Sequence, residues 1–449
     1  MAARTRLLAV ILVLLGATVV HAQERMTMAL TGDSIITRKL SVYQEPEFLD
    51  MIELIRGADV AFTNIEMLFH DYEPYPMASS GGTYMRAQPE MAKELVWAGF
   101  DLGSLANNHA GDYGVEGMLL TQKYVREAGI TAAGTGRSLA EAREAKFLET
   151  ASGRVAFISV SSSFPDHSVA GASRDDIPAR PGLNPLRNKV RYVVSRERLE
   201  DLRALMSELS MDPPAEGDKL RFRGNDFEVG SPSAVITEAD PGDVAAIGAV
   251  VRNASRLADY TIVTIHTHQG PSRMVPPDFL VDFARAMVDE GADVFVGHGP
   301  HALRAIELYK GKPIMYSLGD FMFQNETLQR LPYENYARYE LGDDKGLADF
   351  NAARYQNDTT GFPAIPEIWE AVIAVPAFEG GDLVELRLHP IDLKHRAPPT
   401  VRGRPVFADD TLSRKIIDDV KRLSEPYGTE IDFVNGVGVV RLGARTSNE

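Results

Sequence analysis

The sequence predicts an α/β protein built on a largely parallel sheet, and three observations predict it. Short apolar runs alternate with helix-period segments over residues 27–160, and the same rhythm resumes over 244–296. Five of the runs, residues 28–30, 59–63, 100–105, 260–265 and 293–296, end in polar residues. Those residues are Asp33, then Asn64 and Glu66, then Asn108 and His109, then His266 and His268, then His298 and His301. Strands of a parallel sheet end at one edge, and ligands bind in the crevice outside it. Five such ends rich in Asp, Glu, Asn and His therefore describe one site.

Each element has its own local reason. Arg4 and Arg6, the apolar run 7–15 and Val20-His21-Ala22 form a secretory leader, so residues 1–22 are expected to be cleaved and the mature chain to be periplasmic or secreted. After the strand 28–30, residues 46–55 carry apolar side chains at helical spacing. Strand 59–63 follows, then a helix opened by Pro89 and running to Trp97. Strand 101–105 leads to a helix over 117–128 that Gly129 stops. Residues 147–150 and 155–160 read as an antiparallel pair joined at Ser152-Gly153. Residues 161–243 break the rhythm: they are rich in Ser, Pro, Arg and Asp, hold one amphipathic helix at 196–209, and read as an insertion or lid.

The rhythm returns with a helix at 244–257, strand 260–265, a helix at 278–290, strand 293–296 and a short strand at 313–317. Residues 331–359 are polar and aromatic without a clean period and read as a loop over the site. Runs 368–375 and 383–388 alternate around Glu379-Gly380-Gly381-Asp382, a hairpin signal. A helix at 413–423 and a strand at 436–442 close the chain. The expected organisation is one domain over 23–449, with the insertion at about 161–243 and a hairpin–helix–strand unit at about 366–445.

The chain has no cysteine, which excludes disulfides, thiolate metal ligands and lipid attachment through Cys. A formal net charge of −16 without a basic stripe argues against nucleic acid as a partner. It also opposes a polyanionic substrate unless metals and a few arginines make the cleft locally positive.

The polar ends differ in specificity. Gly32-Asp33 reads equally as a turn or a ligand. Asn64-Ile65-Glu66 places two polar groups at a buried strand end, where they need partners. In Ala106-Asn107-Asn108-His109 the Asn can ligate while His109 reaches the reacting group as general acid. In His266-Thr267-His268, alternate residues of an extended chain share a face. In Gly297-His298-Gly299-Pro300-His301, Gly and Pro hold two imidazoles on a fixed turn. The set suits one or two divalent ions, Mn, Fe, Zn or Co alike. Two ions close together lower the pKa of a shared water and clamp a transferring group. Asp320 reads as a carboxylate orienting an imidazole, as a turn residue or as part of the substrate site. Arg86 and Arg273 are candidates to meet an anionic substrate.

The ordered set Gly-Asp, Asn-x-Glu, Ala-Asn-Asn-His, a His-x-Gly-like motif at His268-Gln269-Gly270, Gly-His-x-Pro-His and Tyr316-Ser317-Leu318-Gly319-Asp320-Phe321 resembles the CapA group of poly-γ-glutamate capsule synthesis proteins. That group resembles the calcineurin-like metallophosphoesterases. The resemblance covers roughly residues 28–325 outside the insertion, and Phe100–Tyr113 and Lys310–Phe321 are its nearest stretches. It implies a metallophosphatase-like four-layer fold, a β-sandwich flanked by helices with an inserted segment. It also implies metal ligation by Asp33, Asn64 or Glu66, Asn108, His268, His298 and His301, with His266 as a further candidate and His109 as the histidine that protonates a leaving group. Three positions depart from the pattern. Ile35 stands where the phosphoesterases have a histidine, Asn-x-Glu replaces their bridging aspartate, and Asp320 replaces the Asn of Leu-Gly-Asn-Phe. The first two weigh against phosphate-ester hydrolysis and admit a mononuclear site.

The leading expectation is an exported metal-dependent hydrolase acting on a γ-glutamyl or peptide amide in capsule polymer handling. A metal-activated water would be the nucleophile, and His109 would protonate the amine. The alternatives are a phosphoesterase, a peptide epimerase using His109 and a second base, and a non-catalytic polymer-binding partner of a membrane synthase.

Overall fold

A computed structural model describes residues 25–212 and 216–442. The expected leader at 1–22 and the last residues, 443–449, lie outside the described residues. Two sheets, not one, carry the polar strand ends. In the first, the strand Arg25–Ile35 is flanked on one side by the parallel strands Val60–Ile65, Leu102–Ser104 and Thr131–Ala133. On its other side runs the antiparallel hairpin Glu370–Glu379 and Asp382–Asp392, turned at 380–381 as the glycines predict. The second sheet has six strands, with Gly153–Ser161, Tyr260–His266, Val294–His298 and Lys312–Met315 parallel at its centre. The chain changes sheets at residues 146–161, because Gly153–Ser161 pairs with Lys146–Thr150 and Tyr260–His266 rather than with Thr131–Ala133.

The inner faces of the sheets make one core. Met28, Leu30, Phe62 and Leu102 meet Val155, Phe157, Ile262 and Val296, with the Phe62 and Phe157 rings 5.5 Å apart. Each such side chain contributes about 1.5–3 kcal/mol by burial. Helices Pro46–Arg56 and Met91–Ala98 cover the outer face of the first sheet through Phe48, Met51, Ile52 and Leu95. Helices Pro241–Ala254 and Asp278–Asp289 cover that of the second through Ile247, Val251, Phe283 and Met287. The result is a helix–sheet–sheet–helix stack, the four-layer arrangement that the resemblance implies. Local chemistry sets the boundaries: Gly99 and Gly129 end their helices in the left-handed conformation, and the Asp240 side chain caps the helix beginning at Pro241.

Several segments differ from expectation. Residues 331–359 hold helices Tyr333–Ala337 and Leu347–Tyr355 rather than a bare loop. The strands expected at 313–317 and 436–442 are each one arm of a hairpin, Ile306–Tyr309 with Lys312–Met315 and Ile431–Val434 with Val437–Val440. Strands Asn188–Val194, Lys219–Phe222, Asn225–Val229 and Ala234–Ala239 form a four-stranded sheet, with helix Arg196–Glu208 packed on it through Leu199 and Met206. It meets the main body where Phe279 N donates to Thr237 Oγ1 at 3.2 Å.

The polar ends of the two sheets face each other. Asp33 is in register with Asn64 in the first sheet, and His266 with His298 in the second. The His298 ring centroid lies 6.2 Å from that of Phe62, across the interface.

Candidate metal centre

The centre has a deep part and an outer part. The deep part is Asp33, His266 and His298, all fully buried. Strand Arg25–Ile35 shifts register between Leu30 and Asp33, and that irregularity re-aims the Asp33 carboxylate. Gly32 permits the close approach behind it, since a Cβ there would stand 1.8 Å from Gly319 O. Asp33 Oδ2 accepts from Gly299 N at 2.8 Å, and Oδ1 accepts from Asn64 Nδ2 at 2.7 Å. Oδ1 lies 3.5 Å from His266 Nδ1 and 3.4 Å from His298 Nδ1, and the two ring nitrogens are 3.0 Å apart.

The tautomer of His298 follows from its neighbour. Thr264 Oγ1 donates its proton to Val296 O at 2.8 Å, so it accepts from His298 Nε2 at 2.8 Å. Nδ1 is then the unprotonated nitrogen, turned toward Asp33. Nitrogen and oxygen donors about 2.0–2.1 Å from a shared ion in tetrahedral array stand roughly 3.3 Å from one another. The deep separations, 3.0 to 3.5 Å, match that spacing.

The outer part is Glu66, His268 and His301, whose ligand atoms lie within 4.8 Å of one another. Both Glu66 carboxylate oxygens are buried without a hydrogen-bond partner, and so is Asn108 Oδ1. Leaving such acceptors unsatisfied costs about 1–3 kcal/mol each, more for a charged group, and a divalent ion would satisfy them. Asn108 Nδ2 is occupied by Gly81 O at 3.0 Å, which leaves its oxygen turned inward. His301 Nδ1 meets Asp320 Oδ1 at 2.8 Å, so Nε2 is the nitrogen offered to the cluster. His301 also sits at φ 53°, a left-handed conformation that non-glycine residues adopt only where surrounding structure enforces it. His266 belongs to both parts: its Nε2 lies 3.0 Å from His268 Nε2 and 3.7 Å from Glu66 Oε1.

Electrostatics separate the two carboxylates. Burial alone would raise the Asp33 carboxyl, but hydrogen bonds and charge from His266 and His298 outweigh it and hold the group well below its ordinary value. Glu66 has no such partner. Burial and then the charges of Asp33, Asp320 and Asp112 push it well above the usual range. Asp320 is pushed up to about 6 by burial, against the lowering effect of His301. Burial lowers His266 to about 4, whereas His301 is raised because Asp320 and Asp33 outweigh its burial.

Beside the outer part, His109 Nδ1 meets Asp112 Oδ2 at 2.7 Å, and Asp112 is held by Gly81 N and Met85 N, each at 2.9 Å. The opposite ring nitrogen, Nε2, stands 3.7 Å from Glu66 Oε1. The carboxylate fixes the proton on Nδ1 and supports a charged ring, an arrangement suited to moving a proton at Nε2. An open cleft of about 220 Å³ begins here, lined by Asn108, His109, His268 and His301, by apolar Ile35, Phe323 and Phe362, and by Arg273 and Arg354.

The structure thus brings Asp33, Asn64, Glu66, Asn108, His109, His266, His268, His298, His301 and Asp320 together. Asn64 presents its amide nitrogen to Asp33, so as placed it braces the carboxylate; ligation through its oxygen takes a half-turn of the amide. Asp320 is fully buried under His301 and does not face the cleft, which corrects its reading as a substrate contact and fits that of a carboxylate orienting an imidazole. Arg86 is also corrected. It is buried away from the cleft, with Nε on His70 O at 2.5 Å, Nη1 on Gln329 Oε1 at 2.8 Å and Nη2 on Asp71 at 2.8 Å. Arg273 does stand at the cleft. Sequence reasoning missed Asp112, Thr264 and Arg354. His109-x-x-Asp112 and the alternation Thr264-x-His266 were available signals; Arg354 had none.

A model of the family described as bacterial capsule synthesis protein PGA_cap matches residues 13–325. A Sinorhizobium fredii protein named "Uncharacterized protein y4sH" is 38% identical over 443 residues, covering 95% of each chain. "Capsule biosynthesis protein CapA" of Bacillus anthracis is 27% identical over 71% of this chain and 65% of its own. "PGA biosynthesis protein CapA" of Bacillus subtilis is 25% identical over 68% of this chain and 64% of its own.

Proposed function

The chain belongs to the bacterial capsule synthesis protein PGA_cap family, and from that premise we propose an exported metal-dependent hydrolase that cleaves a γ-glutamyl amide bond during capsule polymer handling. The names of the two Bacillus relatives support the polymer context. The observation that carries the reading is the adjacency of the orphaned Glu66 carboxylate to His109 Nε2, at 3.7 Å, with Asp112 behind the ring. A site of this kind serves hydrolysis: one group holds the ion and another handles the proton.

Asp33, His266 and His298 would hold one divalent ion, and Glu66, His268, His301 and Asn108 a second. A bound divalent ion supplies Lewis acidity and lowers the pKa of water. The chain's own residues do the rest. Asp320 fixes His301 with Nε2 free, Thr264 fixes His298 with Nδ1 free, and Asn64 braces Asp33. His109 delivers a proton from Nε2 to the departing amine, and Asp112 stabilises the charged ring before delivery. Ile35 lines the cleft at the position where a phosphoesterase would carry an imidazole, which favours the amide over the phosphoester.

The test is to load the purified protein with Mn, Zn, Fe or Co, incubate it with γ-linked oligoglutamate and follow chain length by mass spectrometry. Metal-dependent shortening that disappears in His109→Ala is expected. Deuterium uptake at Cα without shortening, or no turnover at full metal occupancy, would overturn the reading.

A further inference from the structure

We infer that Arg354 and Arg273 form a two-arginine clamp that reads the free carboxylates of the substrate, with Phe362 as the platform between them. This rests on the amide-hydrolase reading of the same cleft. Arg354 reaches the cleft from helix Leu347–Tyr355, and Arg273 from the turn after His268. Their guanidinium carbons lie 5.7 Å and 5.8 Å from the centroid of one ring, that of Phe362. The same ring packs edge-on against His301, with centroids 5.6 Å apart. An anion held by the clamp therefore lies next to the outer part of the metal centre.

Among the described residues each guanidinium is anchored at one nitrogen only. Arg273 Nη1 donates to Pro300 O at 2.9 Å, and Arg354 Nη1 donates to the Thr83 hydroxyl. Among the described residues neither pairs with a carboxylate, although the chain carries 63 acidic residues. The contrast is with Arg402, whose guanidinium is buried on Glu326 and also meets Asp358. Arg354 and Arg273 keep Nε and Nη2, the edge of the fork that grips two oxygens of a planar anion. Arg354 also lies over the Tyr355 ring, at 5.0 Å, and an aromatic face attracts a guanidinium without consuming those donors.

The clamp also resolves a charge problem. A protein of formal net charge −16 repels a polyanion at long range. Two arginines that line the cleft, with no carboxylate partner among the described residues, reverse the sign locally, where field lines concentrate between low-dielectric walls. A polymer of γ-linked residues offers a free carboxylate on every residue, so it presents the repeated planar anion this pair accepts. A phosphate monoester shares the charge and the hydrogen-bond acceptors, and the experiment separates the two.

Binding is measured in the metal-loaded protein by fluorescence anisotropy, at several salt concentrations, with labelled γ-linked tetraglutamate and with its α-carboxamide counterpart. Wild type is expected to prefer the free carboxylates. Arg354→Gln is expected to weaken tetraglutamate binding by roughly tenfold or more, to leave carboxamide binding within about twofold, and to flatten the salt dependence. Arg354→Lys should recover part of the loss, since it restores charge without the fork. Arg354→Gln should also leave the melting temperature and metal content unchanged, which separates recognition from folding. Equal binding of the two probes by wild type, or equal loss of both in Arg354→Gln, would overturn the clamp. So would tighter competition by phenyl phosphate than by tetraglutamate. Carboxylate preference without cleavage would uphold the clamp and sink the hydrolase reading, so the two fail separately.

Discussion

Asp33, His266 and His298 have no exposure at all, while Asn108, His109, His268 and His301 line an open cleft. The deep residues sit within or at the ends of strands, and three neighbours hold them: Asn64 and Gly299 on Asp33, Thr264 on His298. The outer residues come from the loops that follow strands Val60–Ile65, Leu102–Ser104, Tyr260–His266 and Val294–His298. Their carboxylate, Glu66, has no hydrogen-bond partner, and one imidazole, His268, is exposed. The deep part is thus organised by the chain alone, whereas the outer part is left electrostatically incomplete on the side where a substrate enters. Under the proposed function, that division gives ion holding to one part and chemistry to the other, and every variant below should fall on one side of it.

The largest effect is expected from Asp33→Ala. It removes a deep ligand and strands the Gly299 amide and the Asn64 side chain, and Asp33 Oδ2 also lies 3.8 Å from His301 Nδ1. Metal analysis should show loss of the deep ion and reduced occupancy of the outer one, with turnover down roughly a thousandfold. His268→Ala should lower only the outer occupancy. If both variants lose metal equally, the two parts are one site and the comparison breaks.

Next in size is His109→Ala. It should retain full metal content yet lose about 10² to 10⁴ in kcat, since general acid catalysis contributes that much. Asp112→Asn should fall less, because Asp112 acts through His109. Loss of metal in His109→Ala would place that histidine among the ligands instead.

Smaller changes follow from the residues that set the tautomers. Thr264→Val keeps the shape of the strand but removes the acceptor for His298 Nε2, and Asp320→Asn weakens the hold on His301 Nδ1. Each should reduce metal affinity by about 10- to 100-fold. Competition titration with a chelating dye should assign the Thr264→Val loss to the tighter deep ion and the Asp320→Asn loss to the outer one.

Sequence legibility divides along the same line. The strand-end motifs exposed the candidate ligands, most specifically His266-Thr267-His268 and Gly297 to His301, which confine their side chains by local geometry, while Gly32-Asp33 read equally as a turn. The four-layer arrangement was legible only through the resemblance, since period and composition do not say which strands share a sheet. The supporting residues escaped for physical reasons. Thr264 looks like any β-branched strand residue until its hydroxyl meets a ring 34 positions away. Asp112 reads as a turn residue until the turn closes on His109. Arg86 and Arg354 are alike as letters, but the first is consumed by His70, Gln329 and Asp71 while the second keeps donors free at the cleft. Side-chain occupancy of this kind depends on contacts distant in sequence.

The smallest expected effect is the response of the metal-free protein to pH, and its sign separates the two parts. His266 is lowered to about 4, so the folded chain binds fewer protons there than the unfolded chain, whose histidine titrates near 6.5. Its contribution to stability is present above pH 6.5 and declines as pH falls toward 4, by about 1 kcal/mol between pH 6.5 and 5.5. Glu66 works in the opposite sense. Its raised pKa means that the folded chain holds a proton the unfolded chain has already lost, so above the ordinary carboxylate range rising pH costs stability until the folded group ionises. Chemical denaturation of metal-free wild type and Glu66→Gln at pH 5.5, 6.5 and 7.5 reads the difference. Glu66→Gln should gain stability relative to wild type as pH rises, and added metal should cancel that gain by removing the proton from Glu66 in the wild-type protein. Parallel pH curves for the two proteins would mean that Glu66 is already ionised and partnered, and that the outer part is as complete as the deep one.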